Sequence, residues 1–283
     1  MNASTHASSE NPDLRGFSGS LVLVGAGKMG SALLEGWLTF GLDPTKVAVI
    51  EPSPSPEIAA LPQRGVRLNP DRKTLTGVTA VVVAVKPQIA AEALPSVAPM
   101  IAMSTVVISI MAGRTLQFLS DTLERPCALV RAMPNLPASI GHGITVAVPR
   151  QASSAQRNLA DRLLRATGSV EWVADERLMD VVTAVSGSGP AYVFLLAEVL
   201  AQAGAAAGLP QALAEKLARE TVAGAGELLH RSTLGAAVLR ENVTSPGGTT
   251  AAALKVLMDA HGLARLMREA VQAATQRSRE LAG

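Results

Sequence analysis

Apolar and polar positions follow one spacing up to about residue 174 and a different spacing after it. In the first part, short runs rich in valine and isoleucine alternate with segments whose apolar residues recur at helical spacing. The runs with the character of strands are SLVLVGAG, KVAVIEP, TAVVVAVKP, TVVISIMAG, CALVRAMP, GITVAVPR and SVEWVADE. Because they are apolar on both faces and separated by helices, they predict a parallel sheet that is covered on both sides.

In the second part the strand pattern stops, and alanine, leucine and glutamate dominate. Helical spacing runs through ERLMDVVTAVS, PAYVFLLAEVLAQAGAAAG, PQALAEKLARETVAGAGELLHRS, LGAAVLREN, TTAAALKVLMDA and LARLMREAVQAATQRSRELA. The helix over PAYVFLLAEVLAQAGAAAG is apolar almost all the way round. Such a helix in a small helical domain favours burial against another chain.

The composition removes several classes of partner. Charged residues make up 17% of the chain and the net charge is only +2, with acidic and basic residues interspersed. Aromatic residues make up 2%, too few for the stacking platforms that hold single-stranded nucleic acids. The single cysteine, Cys127, excludes a disulfide framework, and the four histidines show no metal-ligand spacing. We expect no nucleic-acid partner and no metal site.

The first 19 residues, residues 1–19, are polar and lack the basic start and apolar centre of a secretory signal. They predict a disordered leader on a cytoplasmic protein. No apolar stretch is expected to have the length of a membrane span, so we predict no membrane partner.

Three glycines, Gly25, Gly27 and Gly30, form G-x-G-x-x-G between the first predicted strand and the first predicted helix. In that context the glycines allow a tight turn, a close approach of the backbone to a pyrophosphate, and close packing of helix on strand. The start of the helix then supplies amides and a positive dipole to the phosphates. The alternative is a glycine-rich turn that holds no ligand.

The end of the second predicted strand is where a dinucleotide-binding protein reads the ribose, about 20 residues after the glycines. Glu51 occupies that place. A carboxylate there accepts a hydrogen bond from the 2′-hydroxyl of NAD and repels the 2′-phosphate of NADP. Ser53, Arg64, Arg67 and Arg72 lie close by in sequence, so the choice leans towards NADH but leaves NADPH open.

Two more turns follow predicted strands at the edge where open α/β sheets bind ligands. Lys86 and Pro87 end the run TAVVVAVKP, and Asn135 lies in the proline-rich segment VRAMPNLPASIGHG. A solvated lysine and a plain connector are the alternative interpretations. The predicted cofactor-binding residues are Gly25, Ala26, Gly27, Lys28, Met29, Gly30, Glu51, Ser53, Asn69, Val85, Lys86, Pro87 and Asn135.

The segment LRENVTSPGGTTAAALKVLMD, residues 239–259, places two glycines and several hydroxyl side chains before an alanine-rich helix. One hydroxyl is enough to cap a helix. The surplus indicates that the exposed amides of this helix start hold a ligand, which this segment alone does not name.

With these segments in place, the chain resembles the pyrroline-5-carboxylate reductase family over about residues 20–282. The resemblance depends on VGAGKMGSAL, AVKPQ, RAMPNLPA, SGSGPAYVF and, above all, the segment 239–259. The chain departs from the family at Leu136, where threonine is common, and at Glu51. Pattern and resemblance together predict an α/β fold with a Rossmann-type dinucleotide-binding domain over residues 20–173. An all-helical dimerisation and substrate domain is predicted over residues 174–283.

The resemblance implies an enzyme of proline biosynthesis that reduces the cyclic imine of 1-pyrroline-5-carboxylate to proline with NADPH or NADH. Thr250 matches the family position whose hydroxyl contacts the ring nitrogen, which makes it the predicted catalytic residue. The predicted contacts to the substrate are Ser245, Gly247, Gly248, Thr249 and Ser188. The backbone amides of Gly247, Gly248 and Thr249 are suited to bind the carboxylate that the implied substrate carries. The resemblance also implies a homodimer, or dimers assembled into a decamer, with each active site between the helical domain of one subunit and the cofactor domain of its partner.

Some residues keep a second interpretation. Ser188 could instead cap the helix that begins near Pro190, and Tyr192 could be either a core residue or a proton donor. A reductase acting on a β-hydroxy acid would need a catalytic lysine, for which Lys216 and Lys255 are the candidates. A cofactor sensor without turnover would have no need of the anion-binding turn.

Overall fold

The computed structural model describes residues 12–282. Its strands are β1 (Ser20–Val24), β2 (Val47–Ile50), β3 (Arg67–Leu68), β4 (Val78–Val83), β5 (Val106–Ser109), β6 (Ala128–Met133), β7 (Gly143–Arg150) and β8 (Gly168–Trp172). The helices between them are α1 (Lys28–Thr39), α2 (Pro56–Ala59), α3 (Ala90–Val97), α4 (Leu116–Leu123) and α5 (Ser154–Leu164). After the sheet come α6 (Met179–Val182), α7 (Gly189–Ala206), α8 (Gln211–Arg231), α9 (Ala236–Asn242), α10 (Thr249–Leu257) and α11 (Leu263–Ala282).

The strands form one sheet in the order β3-β2-β1-β4-β5-β6-β7-β8. All neighbouring strands are parallel except β6 and β7. The expectation of a wholly parallel sheet is therefore wrong at this one pair. The reason is the connection, which runs only from residue 134 to 142 and contains a 3-10 turn, Leu136–Ile140. A parallel crossover usually needs a dozen or more residues.

Helices cover both faces of this sheet, as the sequence predicts. On β1, Leu21 and Leu23 belong to one buried cluster with α1 and α5, whereas Val22 and Val24 belong to another with α3 and α4. This alternation is the ordinary consequence of side chains pointing to opposite faces of a strand. The fold class is the predicted one, with a Rossmann-like sheet followed by helices.

The residues before β1 are partly packed. Leu14 and Phe17 are buried in the cluster that contains α1, and the Phe17 carbonyl accepts a hydrogen bond from Lys46 Nζ at 2.5 Å. The prediction of a disordered leader is therefore wrong for residues 12–19, because two apolar side chains in this polar segment reach the core. Its remaining part, residues 1–11, lies outside the described residues.

By compactness the chain divides into two units, one of Met1–Gly187 with Arg277–Gly283 and one of Ser188–Gln276. The sheet belongs to the first unit. The second contains only helices within its described residues, in keeping with the predicted change of pattern, while the predicted domain boundary at residue 174 stays a prediction.

In the second unit, α7 and α8 pack against each other through small residues. Ala201, Ala214 and Ala218 are buried there. A Cβ on Gly204 would lie 3.4 Å from the Ala214 Cβ, so the two helices approach closely. Most of the other apolar side chains of α7 stay exposed in the single chain, led by Phe194 at 61%.

One helical stretch, Glu176–Ala206, is long and apolar enough to cross a membrane by length and composition alone, with a mean hydropathy of 1.4. It joins a 3-10 turn, α6, a π-helical turn over Thr183–Gly187, and α7. The expectation that no stretch reaches this length is therefore wrong. Only 11% of its most apolar window is buried inside the single chain, so its apolar face has little cover within one copy.

Candidate active site

The glycine loop between β1 and α1 has three glycines in three different environments. Gly25 has φ +89°, and a Cβ there would lie 2.9 Å from the Ala84 backbone. A Cβ on Gly30 would lie 2.3 Å from the Gly25 carbonyl oxygen, whereas one on Gly27 would meet no described atom within 4 Å. Gly25 and Gly30 are therefore required by packing. Gly27 is open, as the approach of a ligand to the backbone would require.

The start of α1 has amides without an internal partner. Gly27 is the N-cap residue, and no described side chain caps the helix. Lys28 is exposed and Met29 half-buried in the first turn. Because the first amides of a helix have no acceptor within it, this end is suited to a phosphate.

At the end of β2, the Glu51 carboxylate is joined to the glycine loop. Its Oε2 accepts a hydrogen bond from the Ala26 amide at 2.9 Å, and its Oε1 accepts one from the Ser53 amide at 3.0 Å. The backbone of Glu51 is held by the Asn69 side chain, which accepts from the Glu51 amide and donates to the Glu51 carbonyl, both at 2.8 Å. Four predicted cofactor residues, Ala26, Glu51, Ser53 and Asn69, thus form one network.

The three arginines considered as alternatives for binding a 2′-phosphate are differently placed. Arg64 forms an ion pair with Glu35 at 2.5 Å, and this pairing raises the pKa of the Arg64 guanidinium above its usual value. Arg72 donates to the Ser96 carbonyl at 3.2 Å. Arg67 lies in β3 with its Nε buried and without a hydrogen-bond partner. Two of the three guanidinium groups are therefore engaged elsewhere.

The turn after β4 places Val85, Lys86 and Pro87 at the same edge of the sheet. Lys86 is exposed, and Val85 Cγ1 lies within 2.9 Å of where a Cβ on Gly25 would stand. Arg114, which the sequence analysis missed, donates from Nε and Nη2 to the Pro87 carbonyl at 3.0 and 2.8 Å. Its guanidinium also lies over the Phe118 ring, 4.6 Å from the centroid. Arg114 therefore holds the turn after β4 in place.

The loop after β6 is ordered by Asn135. Its side-chain Oδ1 accepts a hydrogen bond from the Ile144 amide at 3.0 Å, and its carbonyl accepts one from the Ala138 amide at 3.0 Å. The oxygen therefore closes the loop onto β7. Asn135 was predicted as a cofactor contact. Its side-chain oxygen instead forms this hydrogen bond within the protein, and a contact with the cofactor stays a prediction.

A partly buried ion pair, which no sequence pattern indicates, joins Arg131 to Glu176. Arg131 on β6 is 4% exposed and pairs with Glu176 at 2.9 Å. The same Glu176 oxygen accepts from the Leu116 amide at 2.8 Å. The pair joins the sheet to the segment that leads into α6.

In the second unit, the predicted anion-binding turn precedes α10 as expected. Gly247 has φ +74°, Gly248 is the N-cap residue, and Thr249 and Thr250 open the helix without a cap from any described side chain. The Gly248 amide donates to the Ser245 carbonyl at 3.0 Å. The turn itself therefore uses this amide, and the contact of Gly248 with the substrate stays a prediction.

The other hydroxyl groups near this turn and at the start of α7 have separate environments. The Thr244 hydroxyl donates to the Arg240 carbonyl at 2.6 Å and so does not cap α10. Ser188 is the N-cap residue of α7, yet no side-chain cap hydrogen bond forms there. Its carbonyl accepts from the Ala191 amide at 3.0 Å. A capping role for the Ser188 hydroxyl is therefore not seen.

The only cysteine, Cys127, is buried, as expected of a small apolar side chain. Burial raises the pKa of its thiol above the usual value. A thiol that ionises with difficulty is a poor nucleophile.

Two family models match the chain. The model described as "Pyrroline-5-carboxylate reductase dimerisation" matches residues 176–281. The model described as "NADP oxidoreductase coenzyme F420-dependent" matches residues 20–113. The first match covers the helical part with its anion-binding turn, and the second covers the glycine loop, Glu51 and Lys86.

Curated relatives and solved structures agree with the first family model. A pyrroline-5-carboxylate reductase of Synechocystis sp. is 41% identical, covering 92% of this chain and 97% of the relative. One from Pseudomonas aeruginosa is 35% identical, covering 93% and 96%. The structure of such a reductase from Coxiella burnetii superposes with a TM-score of 0.86 at 33% identity, covering 94% of this chain and all of that one. The Plasmodium falciparum structure with NADP bound gives 0.78 at 28% identity, covering 94% and 99%. The chain belongs to the pyrroline-5-carboxylate reductase family.

Proposed function

We propose that this protein reduces 1-pyrroline-5-carboxylate to L-proline with NADPH or NADH. The observation that carries the proposal is the presence in one chain of two helix starts that follow glycine turns and that no described side chain caps. One follows the glycine loop in a Rossmann-like sheet, and the other follows the Ser245–Thr250 turn in a region that matches the dimerisation model of this reductase family. A dinucleotide and a carboxylated imine require one such site each.

The residues of the first unit fit a dinucleotide. Gly27 leaves room beside the backbone, and the first amides of α1 are available to the phosphates. Glu51 stands where the ribose is read. The nicotinamide, when bound, supplies the hydride that reduces the C=N carbon. NADH is the cofactor we expect to be preferred, because a carboxylate beside a 2′-phosphate is repulsive.

The residues of the second unit fit the substrate carboxylate and ring nitrogen. With the Gly248 amide engaged, the amides of Thr249 and Thr250 in the first turn of α10 are the donors we assign to the carboxylate, together with Gly247. The Thr250 hydroxyl is assigned to the ring nitrogen, where it stabilises the proton that makes the imine a better hydride acceptor. Because a threonine hydroxyl is a weak acid, the main contribution of the protein is positioning.

The exposed apolar face of α7 supports a homodimer. Val193, Phe194, Leu195 and Leu196 are each between 47% and 61% exposed in the single chain, and they lie within the matched dimerisation region. Contiguous apolar surface of this kind marks an interaction site. We propose that a second copy of the chain covers this surface and that the active sites are shared between the two subunits. We further propose that such dimers assemble into a decamer and that the protein is cytoplasmic.

A steady-state assay tests the proposed activity. Purified protein is mixed with pyrroline-5-carboxylate and either NADH or NADPH, and the loss of reduced cofactor and the gain of proline are both followed. Imine-dependent consumption with proline formed in equal amount supports the proposal. Turnover of 3-hydroxy acids without turnover of the imine contradicts it, and would direct attention to Lys255 on α10 and Lys216 on α8.

A further inference from the structure

The side chain of Asn69 is bonded entirely to the backbone of one residue, Glu51. Asn69 directly follows β3 and has φ +46°, a left-handed conformation that asparagine tolerates better than most residues. Its Oδ1 accepts from the Glu51 amide and its Nδ2 donates to the Glu51 carbonyl, each at 2.8 Å. Its own amide donates to the Val49 carbonyl at 2.8 Å. Both ends of the Asn69 amide group are therefore used to fix the end of β2.

The Glu51 carboxylate is fixed as well. Oε2 accepts from the Ala26 amide inside the glycine loop, at 2.9 Å, and Oε1 accepts from the Ser53 amide, at 3.0 Å. A carboxylate has about four acceptor sites, so each oxygen keeps capacity for one more hydrogen bond. Two free acceptor sites on adjacent oxygens match the two neighbouring hydroxyl groups of a ribose.

The fixed geometry has different consequences for the two cofactors. A free glutamate could rotate away from a 2′-phosphate and so relieve the repulsion. Here rotation would break the bonds to the Ala26 and Ser53 amides, and a shift of the backbone would break the two bonds to Asn69. The Glu51 carboxylate therefore stays in a position where it repels the 2′-phosphate of NADPH.

We propose that Asn69 is a positioning residue for cofactor selection: it holds Glu51 against the Ala26 amide, so that the carboxylate binds the ribose diol of NADH and weakens the binding of NADPH. The inference rests on the proposed function only in placing the dinucleotide at the glycine loop. Asn69 need not touch the cofactor.

The variant Asn69→Gly tests the role of the side chain with little strain on the backbone, because glycine adopts positive φ freely. Kd values for NADH and NADPH are measured by quenching of protein fluorescence or by calorimetry, without substrate. We expect the ratio of Kd for NADPH to Kd for NADH to fall about threefold, the effect of roughly one neutral hydrogen bond. Glu51→Ser should lower the ratio by about tenfold, since it also frees the Ala26 and Ser53 amides to meet a phosphate.

The double variant shows whether Asn69 acts through Glu51. If it does, Asn69→Gly changes the ratio little once Glu51 is serine, so the two effects are not additive. Glu124→Gly is the matched control, because Glu124 also has positive φ, +49°. Glu124 lies between α4 and β6, at the amino ends of the strands, whereas the glycine loop lies at their carboxyl ends. Glu124→Gly should leave the ratio unchanged.

An unchanged ratio in Asn69→Gly, or an equal effect with and without Glu51, would overturn the inference. Because cofactor binding is measured without the imine, these results are separate from the proposed activity. An enzyme that reduces the imine yet shows no change of ratio refutes only the role of Asn69. A protein that shows the change but does not reduce the imine refutes only the proposed activity.

Discussion

Replacing Gly27 by alanine separates a ligand-binding role of the glycine loop from a structural one. Gly27 has φ −68° and ψ −172°, which alanine adopts without strain, and a Cβ there would meet no described atom within 4 Å. Alanine is a poor N-cap residue, at a cost of up to about 1 kcal/mol, while the stiffer unfolded chain offsets about 0.4–1 kcal/mol. The free energy of unfolding should therefore change by less than about 1 kcal/mol.

Cofactor binding should change far more. If the phosphates approach the Gly27 backbone, the added methyl group occupies their place. Overpacking costs about 1–3 kcal/mol, which corresponds to an increase of about 5- to 150-fold in Kd for NADH and NADPH alike.

Two other glycines provide the comparison. In Gly30→Ala the new Cβ would lie 2.3 Å from the Gly25 carbonyl oxygen, so stability and affinity should both fall. In Gly16→Ala it would meet no described atom within 4 Å, and neither quantity should change. Thermal unfolding and fluorescence titration measure the two quantities on each variant. Wild-type affinity in a folded Gly27→Ala protein would refute a phosphate site at this loop.

Variants at three further positions test other parts of the account. Thr250→Ala should lower kcat about 10- to 100-fold with a smaller change in KM, and Thr250→Ser should recover most of the rate. A lower melting temperature with unchanged kcat in Thr250→Ala would instead show that Thr250 only stabilises the helix. Phe194→Arg should convert dimers to monomers in light scattering and reduce activity with them, whereas a wild-type protein that is monomeric at micromolar concentration contradicts the dimer. Glu176→Gln should lower the free energy of unfolding by about 2 kcal/mol. This is less than the 3–5 kcal/mol lost when a fully buried pair is broken, because Glu176 is 28% exposed. An unchanged urea midpoint would show that the ion pair with Arg131 does not stabilise the fold.

Most of the sheet was predictable because its strands are short runs that are apolar on both faces. The strand that was missed is shorter still. Strand β3 has only two residues, Arg67–Leu68, too few for its pattern to be recognised. The direction of β7 was missed because apolar spacing is the same in parallel and antiparallel strands.

The candidate site shows the same division between local and distant information. The positions of Gly25, Gly27 and Gly30 follow from their spacing, and the structure gives each a separate packing environment. The contact of Arg114 with Pro87 and that of Asn69 with Glu51 join residues 27 and 18 positions apart. Nothing in local spacing indicates such pairs, since they arise only when neighbouring strands bring their carboxyl ends together.

The hydrogen bond from the Gly248 amide to Ser245 shows a further limit. The sequence SPGGTT correctly predicts a turn before an uncapped helix, but it does not say which amides the turn itself uses. That choice depends on the positive φ of Gly247, +74°, which directs the next amide back towards the Ser245 carbonyl. The donors we propose for the anion are therefore the amides of Gly247, Thr249 and Thr250, without that of Gly248.

The most direct test of the central claim is the steady-state rate of cofactor oxidation with pyrroline-5-carboxylate, measured with NADH and with NADPH on the wild-type protein and on Thr250→Ala. We expect consumption of reduced cofactor only when the imine is present, proline formed in equal amount, a higher kcat/KM with NADH than with NADPH, and a much lower kcat in the variant. Reduced cofactor that binds but is not consumed when the imine is added would contradict the account.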